Sequence, residues 1–241
     1  MAERSEAREL LSAIAEIGPY FALTVENRDE SEDPSLAQLY AGHPALRAHL
    51  ARVAERLGTS ELRVAGSIFF QGMAARLWSP ALAVALLDRR VLVLDAGLTW
   101  PDLAAPGVPL RTAGASAAER GRSPDIAALA HEVADATVTA HLAPLLDAVR
   151  REVRLPDALL WGNAASALLG TLGVLGQARP ALAAPAAALA AALLGLPPLA
   201  GTGTLDPAGD DAPARFVRST CCLYYRVPGG GFCGDCALLP R

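Results

Sequence analysis

All four cysteines of this 241-residue chain fall between positions 221 and 236. A sequence without cysteine up to residue 220 holds its core by packing alone, while its C-terminal stretch carries a chemistry that four thiols share. Cys221 and Cys222 are adjacent, residues 223–232 separate Cys222 from Cys233, and two residues separate Cys233 from Cys236. Thiolates are soft donors that select zinc, cuprous copper or iron-sulfur clusters. Four of them complete either a tetrahedral zinc site or a two-iron, two-sulfide cluster.

Spacing bears on the choice. A zinc ribbon generally supplies two Cys-x-x-Cys knuckles, each presenting both sulfurs to one ion. Here only the pair Cys233 and Cys236 has that form. Adjacent cysteines diverge unless the backbone turns sharply, which strains chelation of one small ion; a cluster with two metal corners accepts more divergent sulfurs. The loop Pro-Gly-Gly-Gly (228–231), with Gly234, lets the backbone turn at positive φ and aim N–H groups at bridging sulfides. From spacing alone three readings stand: an iron-sulfur cluster, a structural four-cysteine zinc site, and a flexible tail closed by a disulfide.

The neighbours of the cysteines carry a resemblance. Cys-Cys-Leu-Tyr-Tyr-Arg (221–226) and Cys-Gly-Asp-Cys-Ala-Leu (233–238) resemble the C-terminal signature of the FhuF-like ferric siderophore reductases. Upstream, Arg-Leu-Trp-Ser-Pro (76–80) and Leu-Trp-Gly-Asn (160–163) are similar to body motifs of that family, so the resemblance spans residues 60–241. It implies that Cys221, Cys222, Cys233 and Cys236 bind a 2Fe-2S cluster. It also implies a cytoplasmic reductase that passes one electron to chelated iron(III), released as iron(II). Such a mechanism requires no protein acid, base or nucleophile. The implied partners are a ferric siderophore and an external electron donor such as a ferredoxin or a flavin protein, since the chain has no Gly-x-Gly-x-x-Gly or P-loop motif of its own. The competing readings are a non-enzymatic binding protein with a structural zinc site, and a 2Fe-2S electron-transfer protein with another acceptor.

Composition narrows the remaining classes. Twenty-one basic against 25 acidic residues give a net charge of −4, without the polybasic footprint of a nucleic-acid binder. Clustered thiols suit a reducing cytoplasm. The N-terminus is charged where the apolar core of a signal peptide would begin, so export is not expected.

The expected fold is mainly α with a small β-hairpin element: one helical body over residues 1–205 and a C-terminal cluster-binding segment over 214–241. Amphipathic helices are predicted over 2–17 and 44–57, joined across an acidic stretch at 26–33. His43 and His49 lack the spacing of paired helical ligands and read as surface residues. Thr59 to Glu61 open a helix through Trp78; Ser79 and Pro80 then read as N-cap and first position of a new one. Arg76 and Trp78 at that junction read as a capping or salt-bridging residue and a core residue, with contact to a siderophore as the functional alternative. Apolar runs near 91–94 and 107–111 read as the two strands of the hairpin, with 97–102 its turn and 112–123 a loop. Ser123, Pro124 and Asp125 cap a long helix kinked at Pro144, on which His131 and His141 are too far apart to share a metal ion.

Residues 156–177 and 180–199 are almost uncharged. A membrane span takes about 20 strongly apolar residues, whereas the first stretch contains Asn163 and four glycines and the second is mostly alanine broken by prolines. Both are expected as buried core helices rather than stable membrane insertions, Trp161 packing and Asn163 binding backbone. A linker at 201–213 follows. Arg215, Arg218, Arg226 and Arg241 then surround the cysteines. They can offset the negative charge of a thiolate-bound cluster or greet an acidic donor; Arg218 and Arg226 are the candidates for the first role.

Overall fold

The computed structural model describes residues 2–26, 33–117, 123, 125–206 and 215–239. Most of the acidic stretch at 26–33 and of the linker at 201–213, part of the loop at 112–123, and Pro124 and Arg241 lie outside the described residues.

The axis of the fold is α4 (Leu62–Asp88), a 27-residue helix that is buried without interruption from Arg76 to Leu86. A helix apolar on every face can only be an interior one. Its main partner is α7 (Asp157–Ala178), packed along its length. Trp78 is fully buried there and donates Nε1–H to the carbonyl of Ala164 at 3.1 Å. On the other sides of α4 lie α1 (Ala2–Ala15) and α3 (Ala45–Arg56). Outside α7 come α8 (Ala183–Leu194) and, against it, α5 (Ile126–Ala134). The short α2 (Leu36–Tyr40) and α6 (Ala143–Glu152) pack together.

In this layer the expectations for Ser79–Pro80 and His49 are corrected, while the cap at Asp125 is borne out. Ser79 and Pro80 do not restart the chain; Pro80 sits inside α4. An interior proline costs about 3 kcal/mol, which burying the side chains of a whole apolar helix outweighs. The Ser79 hydroxyl donates to the carbonyl of Ala75 at 2.7 Å and lies 3.2 Å from Thr171 Oγ1 on α7, so it caps nothing. The helix after residue 125 is capped by Asp125, whose Oδ1 accepts from the amide of Ala128 at 2.8 Å. Upstream of Pro144, which lies in the first turn of α6, the chain winds as a π-helical stretch over Asp135–Leu142 between α5 and α6. His49 is not on the surface: it is fully buried, its ring tilted against Phe69 at 5.1 Å. His43 is half-buried and accepts from the amide of Ala45 at the start of α3.

The β content is larger and differently connected than a single hairpin. The two expected strands do not pair with one another. The first, β2 (Leu92–Leu94), pairs antiparallel with β5 (Ala115–Ala117). The second, β4 (Leu110–Thr112), lies between β1 (Leu23–Val25), parallel, and β3 (Thr99–Pro101), antiparallel. What reads as the turn of the hairpin is thus a short 3-10 turn followed by β3. The third sheet, β6 (Gly203–Asp206) with β7 (Arg215–Arg218), leads into the cysteines.

Among the described residues α7 is long and apolar enough to cross a membrane, but 61% of its apolar window is buried inside the protein. Its flank on α4 carries Leu160, Ala164 and Leu168, all fully buried. It is a core helix, and it forms one side of the site described next.

Candidate metal centre

The hairpin β6–β7 places the cysteine segment against α7. Its register sets Gly203 opposite Arg218, where a Cβ on Gly203 would come within 2.6 Å of the carbonyl oxygen of Val217. Beyond it, Thr220 lies so close to α7 that a Cβ on Gly162 would meet its Oγ1 at 2.5 Å. Two glycines therefore admit the segment, one in each of the elements that hold it.

Adjacent cysteines need a sharp turn, and the structure supplies one. Leu223 takes the left-handed conformation at φ 68°, which for a leucine costs on the order of 1 kcal/mol. In return its amide donates to Cys221 Sγ at 3.3 Å. The second knuckle repeats the pattern: the amide of Cys236 donates to the carbonyl of Cys233 at 3.1 Å, and that of Leu238 to Cys236 Sγ at 3.4 Å. These N–H···S bonds come from the residues two places after a cysteine, not from the glycine loop. Gly229, at φ 70°, turns that loop so that Cys233 returns to Cys222, their sulfurs 3.6 Å apart.

All four thiols are free; Cys222 and Cys236 are buried, Cys221 and Cys233 half-buried. Burial pushes the Cys221 thiol up from its ordinary value, against a hydrogen bond from the Leu223 amide. Burial also pushes the Cys233 thiol up, reinforced by Asp235 and by Cys222.

Beneath them runs a buried polar chain. The Ser67 hydroxyl on α4 donates to the carbonyl of Cys222 at 2.6 Å. Asn163 Nδ2 on α7 donates to Ser67 O and Ser67 Oγ, both at 2.9 Å, and Asn163 Oδ1 accepts from Arg218 Nη2 at 2.6 Å. The Arg218 side chain is wholly buried, and its Nε and Nη1 have no hydrogen-bond partner. The carboxylate of Asp235 stands 3.8 Å from Nε, beyond hydrogen-bond reach. Asp235 thus gives the buried guanidinium an ion pair without a hydrogen bond, and the two unused donors favour a further anion close by. A two-iron cluster on four thiolates is one, so donor set and surroundings both fit it.

Beside the cysteines opens a groove of about 1280 Å³ between α4, α7 and α8, mostly apolar in lining. Its floor is made of small residues, among them Gly72 on α4 and Gly170 and Gly173 on α7, whose Cα faces are open. Its end is formed by Cys222, Cys233 and Asp235. Tyr20 stands in its wall, held under the Arg76 guanidinium at 4.2 Å from the ring centre; Arg76 also donates to the carbonyls of Gly107 and Pro19. Arg76 therefore clamps two loops from within and does not itself line the groove.

Residues 218–238 match the family model of the FhuF 2Fe-2S C-terminal domain. The cofactor of this segment is accordingly a 2Fe-2S cluster, and the resemblance read from the cysteine flanks holds over the FhuF-type segment. The match does not extend into the helical body. No curated protein matches the chain.

Cys222 and Cys233 thus come together, and Arg218 is buried beneath the segment that carries the cysteines. Arg226 does not join them: it pairs with Glu61 at the start of α4 at 2.8 Å and holds that carboxyl below its usual range. Sequence reasoning missed Ser67, Asp235 and the groove itself. The glycines of α7 were their legible signal, since glycine inside a helix marks a close approach or an open face.

Proposed function

We propose that the protein is a cytoplasmic reductase of ferric siderophores, with Cys221, Cys222, Cys233 and Cys236 as the ligands of its 2Fe-2S cluster. The observation that carries this reading is the groove that ends on two of the four cysteines, Cys222 and Cys233. Ligand pockets for drug-sized molecules run to about 1,000 Å³; this one is larger, as a chelator wrapped around iron requires. When bound, the cluster supplies single electrons.

The protein's part is to bring the chelate to the thiolate end and to keep water from it. The open faces of Gly72, Gly170 and Gly173 give the chelate room between the two main helices. Gln71, Ser166 and Arg215 offer hydrogen bonds along its rim and floor. No proton need be moved by a side chain: iron(III) gains one electron, and hard oxygen donors hold the resulting iron(II) far less tightly, so it leaves. The electron comes from outside, from a ferredoxin or a flavin protein.

Anaerobic protein reduced with dithionite and freed of excess reductant tests this. Added ferric hydroxamate or catecholate chelates are expected to restore the oxidised visible spectrum, with one iron(II) trapped by a ferrous-specific dye per electron. Reoxidation by ferricyanide but by no ferric chelate would overturn the reading in favour of electron transfer to another acceptor.

A further inference from the structure

We propose that Arg218, alone among the arginines described around the cysteines, is the residue that sets the potential of the cluster, acting as a buried counter-charge held in place by Asn163 and Ser67. The inference rests on ligation by the four cysteines proposed above.

The three described arginines of the segment differ in what their charge faces. Arg226 is spent on Glu61 at the surface. Arg215 is exposed at the groove, where water and salt screen it. Arg218 is sealed from solvent and hydrogen-bonded through Nη2 to a neutral amide, leaving Nε and Nη1 free of hydrogen bonds. Among the described residues Asp235 is the carboxylate beside it, 3.8 Å from Nε and without a hydrogen bond to it.

A fixed positive charge in a medium of low polarity acts most strongly on whichever state carries more negative charge. Two ferric irons, two sulfides and four thiolates sum to two negative charges, and one added electron makes three. Arg218 therefore favours the reduced state and raises the potential. Asn163 and Ser67 are positioning residues: they tie the guanidinium to the carbonyl of Cys222 across α7 and α4, so the charge cannot swing out to water.

The test is the one-electron equilibrium of anaerobically reconstituted full-length protein against redox dyes, with iron and sulfide counted and the EPR signal recorded for each variant. Arg218→Gln is expected to shift that equilibrium at least tenfold toward the oxidised form, about 59 mV for one electron. The shift should persist at high salt. Arg218→Lys and the surface control Arg226→Gln should each stay within about threefold of the parent. Asn163→Asp, which sets a carboxylate against Arg218, should move the equilibrium in the same direction as Arg218→Gln, and it decides the matter if Arg218→Gln fails to hold iron. A fully loaded Arg218→Gln with the parental potential overturns the proposal, as does an unshifted Asn163→Asp. A parent that takes up no iron and sulfide overturns the ligation reading instead, and the metal count shows this before any potential is read.

Discussion

Asn163 carries three bonds of the buried polar chain, two donated to Ser67 and one accepted from Arg218. Asn163→Leu would strand the guanidinium, and breaking a bond to a buried charge costs about 2–4 kcal/mol. A lowered urea midpoint of the helical circular-dichroism signal is the expected result, with earlier release of the cluster. A second prediction concerns acid. Burial pushes the His49 imidazole down to about 4, aided by Arg52 and Arg56 and opposed by a hydrogen bond at the Leu103 backbone. His141, between Tyr40 and the Leu94 carbonyl, is lowered too, again chiefly by burial. In the unfolded chain both take a proton near pH 6.5. Between that pH and about 4 the unfolded state therefore binds more protons, so stability is full above pH 6.5 and falls as the pH drops. For His49 the loss reaches on the order of 2 kcal/mol by pH 4.5. Urea midpoints at stepped pH should show this slope flattened in His49→Gln. The cysteines were legible because their side chains permit few roles. Arg218 is legible only together with Arg226, because arginines near the cysteines look alike until the fold buries one and pairs the other with Glu61.

Among the elements, the long ones are the most legible. The helices over 2–17 and 44–57 appear as α1 and α3, because an apolar stripe of period 3.6 sustained over three turns fits a helix and no strand. The strands are much less so. Each is three or four residues long, too short to show alternation, and β1 joins β4 from 87 positions away, Leu23 facing Leu110. Pro80 misleads for a related reason: serine and proline are a helix start by local chemistry, and only tertiary burial makes them helix interior. The hairpin β6–β7 is the element on which the metal centre hangs, and its close approach at Gly203 makes it testable. A Cβ at Gly203 would stand 2.4 Å from the Phe216 ring as well as against the Val217 carbonyl. Gly203→Ala should therefore open the hairpin at an overpacking cost of about 1–3 kcal/mol. Faster loss of the visible cluster spectrum to a chelator, with helical content unchanged, is the outcome expected.

At the scale of the molecule, α4 and α7 do two things at once. Their buried faces make the core, and the small residues along their other edge leave the groove that runs to Cys222 and Cys233. This division gives a substitution whose effects on fold, cluster and substrate separate. Gly173 lies within α7 and lines the groove, and a Cβ there meets nothing within 4 Å. In Gly173→Leu the helix gains propensity, about 0.5–1 kcal/mol, since glycine is the costlier helix residue. The thermal midpoint should hold or rise. The new side chain points into the groove and away from the sulfurs' own supports at Leu223, Leu238 and Ser67, so the cluster spectrum and potential should stay parental. What it takes away is room for the chelate. Stopped-flow reoxidation of the reduced variant by a ferric siderophore should therefore need at least tenfold more chelate to reach half its limiting rate, while a small oxidant such as ferricyanide reacts as before. Parental dependence on the chelate would place the substrate elsewhere on the protein and detach the groove from the reaction, leaving the metal centre as described.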